Sequence, residues 1–342
     1  MVTLKHVARE AGVSLATASR VLGGSGPVSE DARERVQEAA RRLGYRVNHV
    51  ARSLRTTRTA TIGLLVSDVR NPFFTELVHA VEQAASDAGL ATMVGNADER
   101  SAQQDRYLDT LLRHQVDGLV VVPQGDDVTQ LREAVSAVPT IFVDRVVPGL
   151  DVPAVTSDNA GGVTALVDHL VGLGHRRIGV IAGPQSSSTG RERLAAVRAA
   201  VRRHGLPWSA ELEAVGNFQA ASGIAAAAQL LDLTERPDVL FAADNLMAFG
   251  ALHELRRRGL RIGEDVGLAA FDDESWFPLN LPPVTAVAQD VARMGEEAVR
   301  LVCEVMAGRR PDPVVVPTRL VVRESCGEAG RRSAPEGRGG TP

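Results

Sequence analysis

Cysteine is nearly absent: the chain has only Cys303 and Cys326 in 342 residues. Two thiols without metal-ligand spacing to one another exclude a disulfide framework and a zinc motif, and fit a reducing compartment. No apolar run approaches the roughly 18 residues that a bilayer span needs. The opening MVTLKHVAREAGV lacks the basic, apolar and small-residue succession of a signal peptide, so a cytoplasmic protein with no membrane partner is expected. Catalytic signatures are missing too. GLGHRR lacks the third glycine of a dinucleotide fingerprint, and GGSG lacks the lysine of a phosphate-binding loop. Eight scattered histidines show no zinc-site spacing. Asp272, Asp273 and Glu274 sit side by side on one short loop, where neighbouring carboxylates point different ways and no activated nucleophile accompanies them. Neither an enzyme nor a cofactor is expected.

What the chain does have is a division of charge. The formal net charge is −4, yet residues 1 to 58 carry eleven Lys/Arg against five Asp/Glu, so this head is +6 and the remainder −10. A basic head on an acidic body points to an anionic partner for the head alone. The length suffices for two or three domains.

Within the head, Leu4, Val7, Ala8 and Ala11 recur at helical spacing behind Thr3 as a cap. Gly12 breaks the pattern as a left-handed residue at a helix end would. Val13 can pack back on the first helix and Ser14 can cap a second, whose inward face is Ala18, Val21 and Leu22. After GGSGP the chain restarts at Val28 and Ser29, with Glu30 and Asp31 in the favoured first turn and Val36, Ala39, Ala40 and Leu43 as the next stripe; Gly44 closes it. Two helices around a short glycine turn, braced by a third, make the helix-turn-helix plan. Its second helix would present Leu15, Ala16, Thr17, Ser19 and Arg20 to a major groove. Arg20 can pair bidentately with guanine, and Leu15, Ala16 and the Thr17 methyl suit thymine methyls. Ser14, Thr17 and Ser19 can alternatively touch phosphates only.

TLKHVAREAGVSLATASRVL, then VSEDARERVQEAARRLGY and VNHVARSLRTTRTATIGLLVSDVRNPFF, resembles the LacI/GalR family of bacterial transcriptional regulators. The likeness runs on through VDGLVVVP, SDNAGGVTALVDHLVGLGHRRIGVIAGP, GLAAFDDE and PPVTAVAQD, and covers residues 2 to about 325. It implies a DNA-reading head (1–46), a hinge helix or linker (47–58), and a core related to periplasmic sugar-binding proteins (59–327). That core would have two lobes joined by three crossovers, about 59–159 with 291–318 and about 160–290 with 319–327.

The body supports such a fold without the resemblance. Apolar runs TIGLLVS, ATMVGN, DGLVVVP, TIFVD, RIGVIAG, VLFAAD and VGLAAFDD alternate with helical segments such as FTELVHAVEQAASDAG, QQDRYLDTLLRHQ and NLMAFGALHELRRRG. Runs buried on both faces predict two doubly wound parallel sheets, with DPVVVPTRLVVRES returning across their boundary. A ligand in such sheets sits beyond the carboxyl ends of the strands. Those ends carry Asp68 and Asn71, Gln124, Asp144 and Arg145, Asp244 and Asn245, and Asp272 and Asp273, with Arg193 in the helix start after RIGVIAG. The resemblance places Arg193 and Asp272 where effector hydroxyls or carboxylates are held. It places Phe73, Phe74 and Phe218 where aromatics line the cleft, with Trp276 and Gln289 as further candidates. Phenyl faces with fixed carboxylates and an arginine suit a sugar. Asp and Asn at strand ends also commonly cap the following helix. One departure stands out: family members often read Asn-Asp where this chain reads Asp244-Asn245, an acceptor in place of a donor.

NHVARSLRTT, residues 48 to 57, is too short to be a stable helix alone. The resemblance implies that it folds against its dimer mate on DNA. Asn48, His49, Ala51, Arg52 and Arg55 would lie at the duplex, Leu54 would wedge into a minor-groove base step, and Thr3 would join the head contacts. Also expected are a repressor acting as a homodimer on a pseudo-palindromic operator, a small-molecule effector, most simply a sugar inducer with a purine or sugar-phosphate corepressor as the alternative, and no appended tetramerising helix in the Gly-, Pro- and Arg-rich tail 328–342, read as disordered.

Overall fold

The computed structural model describes residues 2–23, 27–45, 59–125 and 128–328. They divide into two units between Ala60 and Thr61. The expected hinge, with Asn48, His49, Ala51, Arg52, Leu54 and Arg55, lies outside the described residues, as does the tail from 329 on.

In the head, α1 (Leu4–Glu10), α2 (Leu15–Gly23) and α3 (Glu30–Leu43) pack through one apolar cluster that includes Val7, Ala8, Ala18, Val21, Val36 and Ala39. Alanines at these contacts let the short helices approach closely, and the chain ends are shaped for it. Gly12 takes φ +62°, and the Val13 amide then donates to the Ala8 carbonyl at 3.0 Å, turning the chain back on α1. Ser14 Oγ accepts from the Thr17 amide at 3.0 Å and so starts α2. Gly44, at φ +64°, ends α3. These three expectations hold, as does the inward stripe.

The second unit contains two six-stranded sheets. In the first, β1 (Thr61–Val66), β2 (Ala91–Asn96), β3 (Gly118–Val121), β4 (Thr140–Val143), β5 (Ala154–Ser157) and β11 (Val314–Val316) run in the order β11-β5-β4-β3-β1-β2, all parallel. Helices α4 (Pro72–Asp87), α5 (Ser101–Arg113) and α6 (Thr129–Ala137) belong to this lobe, and α11 (Val291–Met306) returns to pack on it. In the second, β6 (Ile178–Ala182), β7 (Glu213–Val215), β8 (Val239–Ala242), β9 (Gly267–Phe271), β10 (Thr285–Ala288) and β12 (Arg319–Val321) run in the order β12-β10-β9-β8-β6-β7. Its helices are α7 (Asn159–Gly172), α8 (Ser188–Arg203), α9 (Ala220–Leu231) and α10 (Asn245–Arg257).

Two expectations need correction. The second sheet is not wholly parallel, because β12 pairs antiparallel with β10. It can, since the two-residue link from β11 is too short for a crossover that would restore the direction. And ATMVGN is not buried on both faces. As β2 it forms the edge of its sheet, with Val94 46 % exposed, whereas β3, β4, β6, β8 and β9 are buried throughout.

The chain passes between the sheets three times, after β5, after β10 and between β11 and β12. These passages lie side by side. β5 pairs with β11 and β10 with β12, Thr318 Oγ1 donates to the Asp158 carbonyl at 3.0 Å, and Ser157 Oγ donates to Gln289 Oε1. Among the described residues no helix is long and apolar enough to cross a membrane.

Candidate functional site

Each parallel strand delivers its carboxyl end to the space between the two sheets, and the residues there are polar and buried. A small cavity lies among them. Ten of the twelve expected effector residues line it: Asn71, Phe73, Phe74, Asp144, Arg145, Arg193, Phe218, Asp244, Asp272 and Gln289, joined by Glu99 and Thr189.

Several of these residues hold strained backbones. Asp144 has φ +65° while the Arg145 amide donates to the Val143 carbonyl at 2.7 Å, a tight turn around one residue at the end of β4. Phe218 and Asp272 also lie at positive φ, +60° and +68°. Non-glycine residues persist in that region only where the surroundings over-determine them. Gly183 shows one such surrounding: a Cβ there would stand 2.4 Å from the Phe218 ring, so the bare backbone lets that ring lie against the end of β6.

Two arginines are buried in the site and bound differently. Arg145 makes a bidentate pair with Glu99, both contacts 2.8 Å, and donates to Gln124 Oε1 at 2.8 Å. Its guanidinium stands 5.0 Å from the Phe218 ring centroid, across from the first lobe to the second. Arg193 donates instead to Asn159 Oδ1 at 2.8 Å and the Ala243 carbonyl at 2.7 Å, and stacks 3.6 Å from the Phe271 ring centroid.

The carboxylates are the counterweight. Burial pushes Asp144 up to about 6 against the pull of Arg145, and Asp244 up to about 7 despite its bond from the Met247 amide. Asp272 is also raised by burial, opposed by Arg193 and by the Gln289 amide that donates to its Oδ1 at 2.5 Å. Asp244 serves both roles open to a strand-end acid. Its Oδ1 caps α10 by accepting from the Met247 amide at 2.7 Å, while Oδ2 is buried without a hydrogen-bond partner. The departure from Asn to Asp therefore leaves a spare acceptor in the cavity wall.

The lobes also touch directly. Asn245 Nδ2 donates to Asn71 Oδ1 at 2.8 Å, Gln219 Nε2 to Asp68 Oδ2 at 3.1 Å, and the Val146 amide to Ser188 Oγ at 3.0 Å. Two expected residues lie elsewhere. Trp276 packs edge-on against Phe277 at 4.5 Å and Phe249 at 5.7 Å on the second lobe's core. Gln124 supports Arg145 from behind and lines a neighbouring chamber. Among the described residues no cluster of three or more metal-binding side chains occurs.

In the head, the first two turns of α2 carry the expected recognition residues. Leu15, Ala16 and Arg20 are exposed and Thr17 and Ser19 half-buried, with the Thr17 hydroxyl 2.8 Å from Ser14 Oγ. Thr3 stands at the start of α1, its amide donating to His6 Nδ1 at 3.3 Å.

A three-helix head, and a core of one parallel and one mostly parallel sheet around a polar cavity, define a helix-turn-helix protein with a periplasmic-binding-like effector core. Residues 3–48 match the model of the bacterial regulatory proteins of the lacI family, and residues 167–326 that of the periplasmic binding protein-like domain. The chain is 37 % identical over 334 residues to the HTH-type transcriptional regulator CelR of Thermobifida fusca, covering 94 % of this chain and 98 % of that protein. A solved transcriptional regulator CelR–cellobiose complex superposes with a TM-score of 0.72 at 35 % identity, over 95 % of this chain and all of that one. The Lac repressor dimer bound to operator and the anti-inducer ONPF superposes with a TM-score of 0.85 at 30 % identity, over 95 % of this chain and 99 % of that one. The chain belongs to the LacI family of transcriptional regulators, whose members are not enzymes. It is a regulator of the DNA-binding, small-molecule-responsive type.

Proposed function

We propose that this chain is a repressor that binds a pseudo-palindromic operator as a dimer and is released from it by a neutral saccharide bound in the cavity. The observation that carries the ligand class is the balance of charge and surface in the cavity wall. Glu99, Asp144, Asp244 and Asp272 face it with only Arg145 and Arg193 opposite, and Phe73, Phe74 and Phe218 supply apolar faces. Carboxylates accept paired hydroxyls, and phenyl faces cover the apolar faces of a sugar ring. A phosphate or carboxylate ligand would meet more acid than base. The cellobiose bound by the CelR relative supports the same class. In the head, Arg20 and its neighbours on α2 read bases in the major groove. Leu54 of the hinge segment wedges the minor groove between the flanking contacts of Arg52 and Arg55.

Linkage supplies the mechanism. A saccharide that contacts both lobes favours the closed arrangement of the core, and whichever arrangement it favours must change operator affinity by the reciprocal factor. A thermal-shift panel of neutral sugars, sugar phosphates and nucleobases tests the ligand class, with a shift from neutral sugars expected. A response confined to phosphates or purines would overturn it. In gel shifts on the chain's native upstream DNA, the responding sugar should weaken the complex; strengthening would reverse the sign to corepression. Leu54→Ala should weaken specific binding far more than non-specific binding.

A further inference from the structure

Two of the three passages between the sheets are built alike. β5 ends at Ser157, Asp158 caps α7 by accepting from the Gly161 amide at 2.8 Å, and the chain has crossed from the first lobe to the second. β10 ends at Ala288, Gln289 follows, Asp290 caps α11 by accepting from the Arg293 amide at 3.0 Å, and the chain has crossed back. Ser157 and Gln289 thus stand at matching points, each just before a capping acid, and the Ser157 hydroxyl donates to Gln289 Oε1. We propose that Ser157, which is not among the residues lining the cavity, is a positioning residue that carries the occupancy of Asp272 into the hinge through the side-chain amide of Gln289. This rests on the reading above only in that an effector must engage Asp272.

Polarity fixes how the amide lies. A carboxamide has one donating end and one accepting end, whereas an ionised carboxylate only accepts. The donating Nε2 of Gln289 therefore turns to Asp272 Oδ1, at 2.5 Å. That leaves Oε1 toward Ser157, whose single proton must then point at Gln289. Both ends of this chain are held in place. Ser157 and Asp272 are buried, and Asp272 sits at φ +68° with its own amide donating to the Val287 carbonyl at 2.9 Å.

The same three groups have a second, reversed arrangement. A ligand hydroxyl that donates to Asp272 Oδ1 takes the place of Nε2, and the amide is free to turn over. Nε2 then donates to Ser157 Oγ, and the serine proton goes to the remaining acceptor, Met294 Sδ, 3.2 Å away on α11. Met294 is fully buried in the core of the first lobe. An event at a carboxylate of the second lobe thus ends as a changed contact in the first. Coupling between sites needs an element with two discrete arrangements that both sites bias, and an amide held between a carboxylate and a hydroxyl is one.

Its place in the hinge gives the reversal leverage. Ser157 faces Val316 across the β5–β11 pair, and the Asp158 amide donates to the Val316 carbonyl at 2.8 Å. The Thr318 hydroxyl bond to the Asp158 carbonyl ties the first and third passages at the same point. There is no slack beside it: a Cβ on Gly162 would stand 2.4 Å from Thr318 Oγ1 and 2.6 Å from Val287 Cγ1. The Ser157–Gln289 bond joins the second passage to these two, so a change in its direction is felt where the passages meet.

Calorimetry and gel shifts on the full chain separate this role from a merely structural one. Glucose, galactose, ribose, cellobiose and maltose are titrated, and the sugar that binds is taken into gel shifts on the native upstream DNA. Ser157→Ala should keep the affinity for that sugar within threefold, while the factor by which the saturating sugar changes DNA affinity falls at least fivefold. Ser157→Thr, which keeps the hydroxyl, should restore that factor. An unchanged factor in Ser157→Ala overturns the relay, and so does a loss of sugar affinity as large as the loss of response. A second measurement needs no sugar. Asp272→Asn should shift the urea midpoint by amounts that differ at least twofold between the original chain and the Ser157→Ala background, and that agree once Gln289→Met is added to both. Equal shifts without Gln289→Met overturn the relay whatever the sugars do. If none of the five sugars binds but the shifts differ as expected, the saccharide reading fails and the relay stands.

Discussion

The two buried arginines face one cavity from opposite lobes, yet their charge is spent differently. Arg145 of the first lobe is locked to Glu99 of the same lobe, while the hydrogen bonds of Arg193 in the second go to a neutral amide and a backbone carbonyl. An ion pair consumed within the protein makes a wall. A guanidinium whose hydrogen bonds go to neutral partners is offset only through space, by the carboxylates of Asp272, Asp144 and Asp244. The proposed function therefore assigns the shaping of the site to the first lobe and the grip on the ligand to the second.

Breaking the wall should have the largest effect on stability. Arg145→Met leaves Glu99 beside the cavity without its partner, and removing one member of a buried pair costs about 3–5 kcal/mol. Urea denaturation measures it, and the Glu99→Gln/Arg145→Met double variant should cost less than the sum of the single changes. Removing the grip should act on binding instead. Arg193→Met is expected to weaken the responding sugar by about 100-fold, near 2.7 kcal/mol, in calorimetry, the size of a charge-assisted hydrogen bond. If Arg145→Met lowered affinity and Arg193→Met did not, the division of labour would be the reverse.

Asp244→Asn sharpens the comparison at a smaller scale. It keeps an oxygen to cap α10 but turns the spare acceptor into a donor, so affinity should fall about tenfold. It should also flatten a pH dependence. Asp144 and Asp244 are raised by burial to about 6 and about 7 from the ordinary 3.8. The folded chain thus keeps protons that the unfolded chain has released. The stability this contributes is complete below about pH 4 and is lost as pH rises through 6 and 7. Urea midpoints should fall between pH 5 and pH 8, and fall less in Asp244→Asn. The smallest effect belongs to the head, where Ser14→Ala removes the cap of α2 and should cost about 1 kcal/mol in head stability, read by circular dichroism melting.

Much of this site was legible because strand ends are legible. TIGLLVS, TIFVD, VLFAAD and VGLAAFDD are apolar enough to mark both their strands and the polar residues that follow, and Asp144, Asp244 and Asp272 come directly from them. The short strands β5 (AVTS) and β7 (EAV) carry no such run, since three or four residues cannot establish a period. Glu99 stands three residues beyond the edge strand β2, and only its turn brings it back to the site. Thr189 lies at the start of α8, two residues after the cap Ser187, and no motif marks it. Trp276 misled for the opposite reason. It follows Asp272 closely in sequence, but a short 3-10 turn at Phe277–Leu279 redirects the chain and seats the indole on the second lobe's core.

The three passages between the lobes lie abreast, stitched by the Thr318 bond to Asp158 and the Ser157 bond to Gln289. Two bodies on a single tether keep nearly all six of their relative degrees of freedom. Tied by three parallel cords in a row, they keep little more than one, a swing about the line of the cords. A ligand closing such a hinge cannot dissipate its work in sliding or twisting, and all of its leverage appears as one rotation.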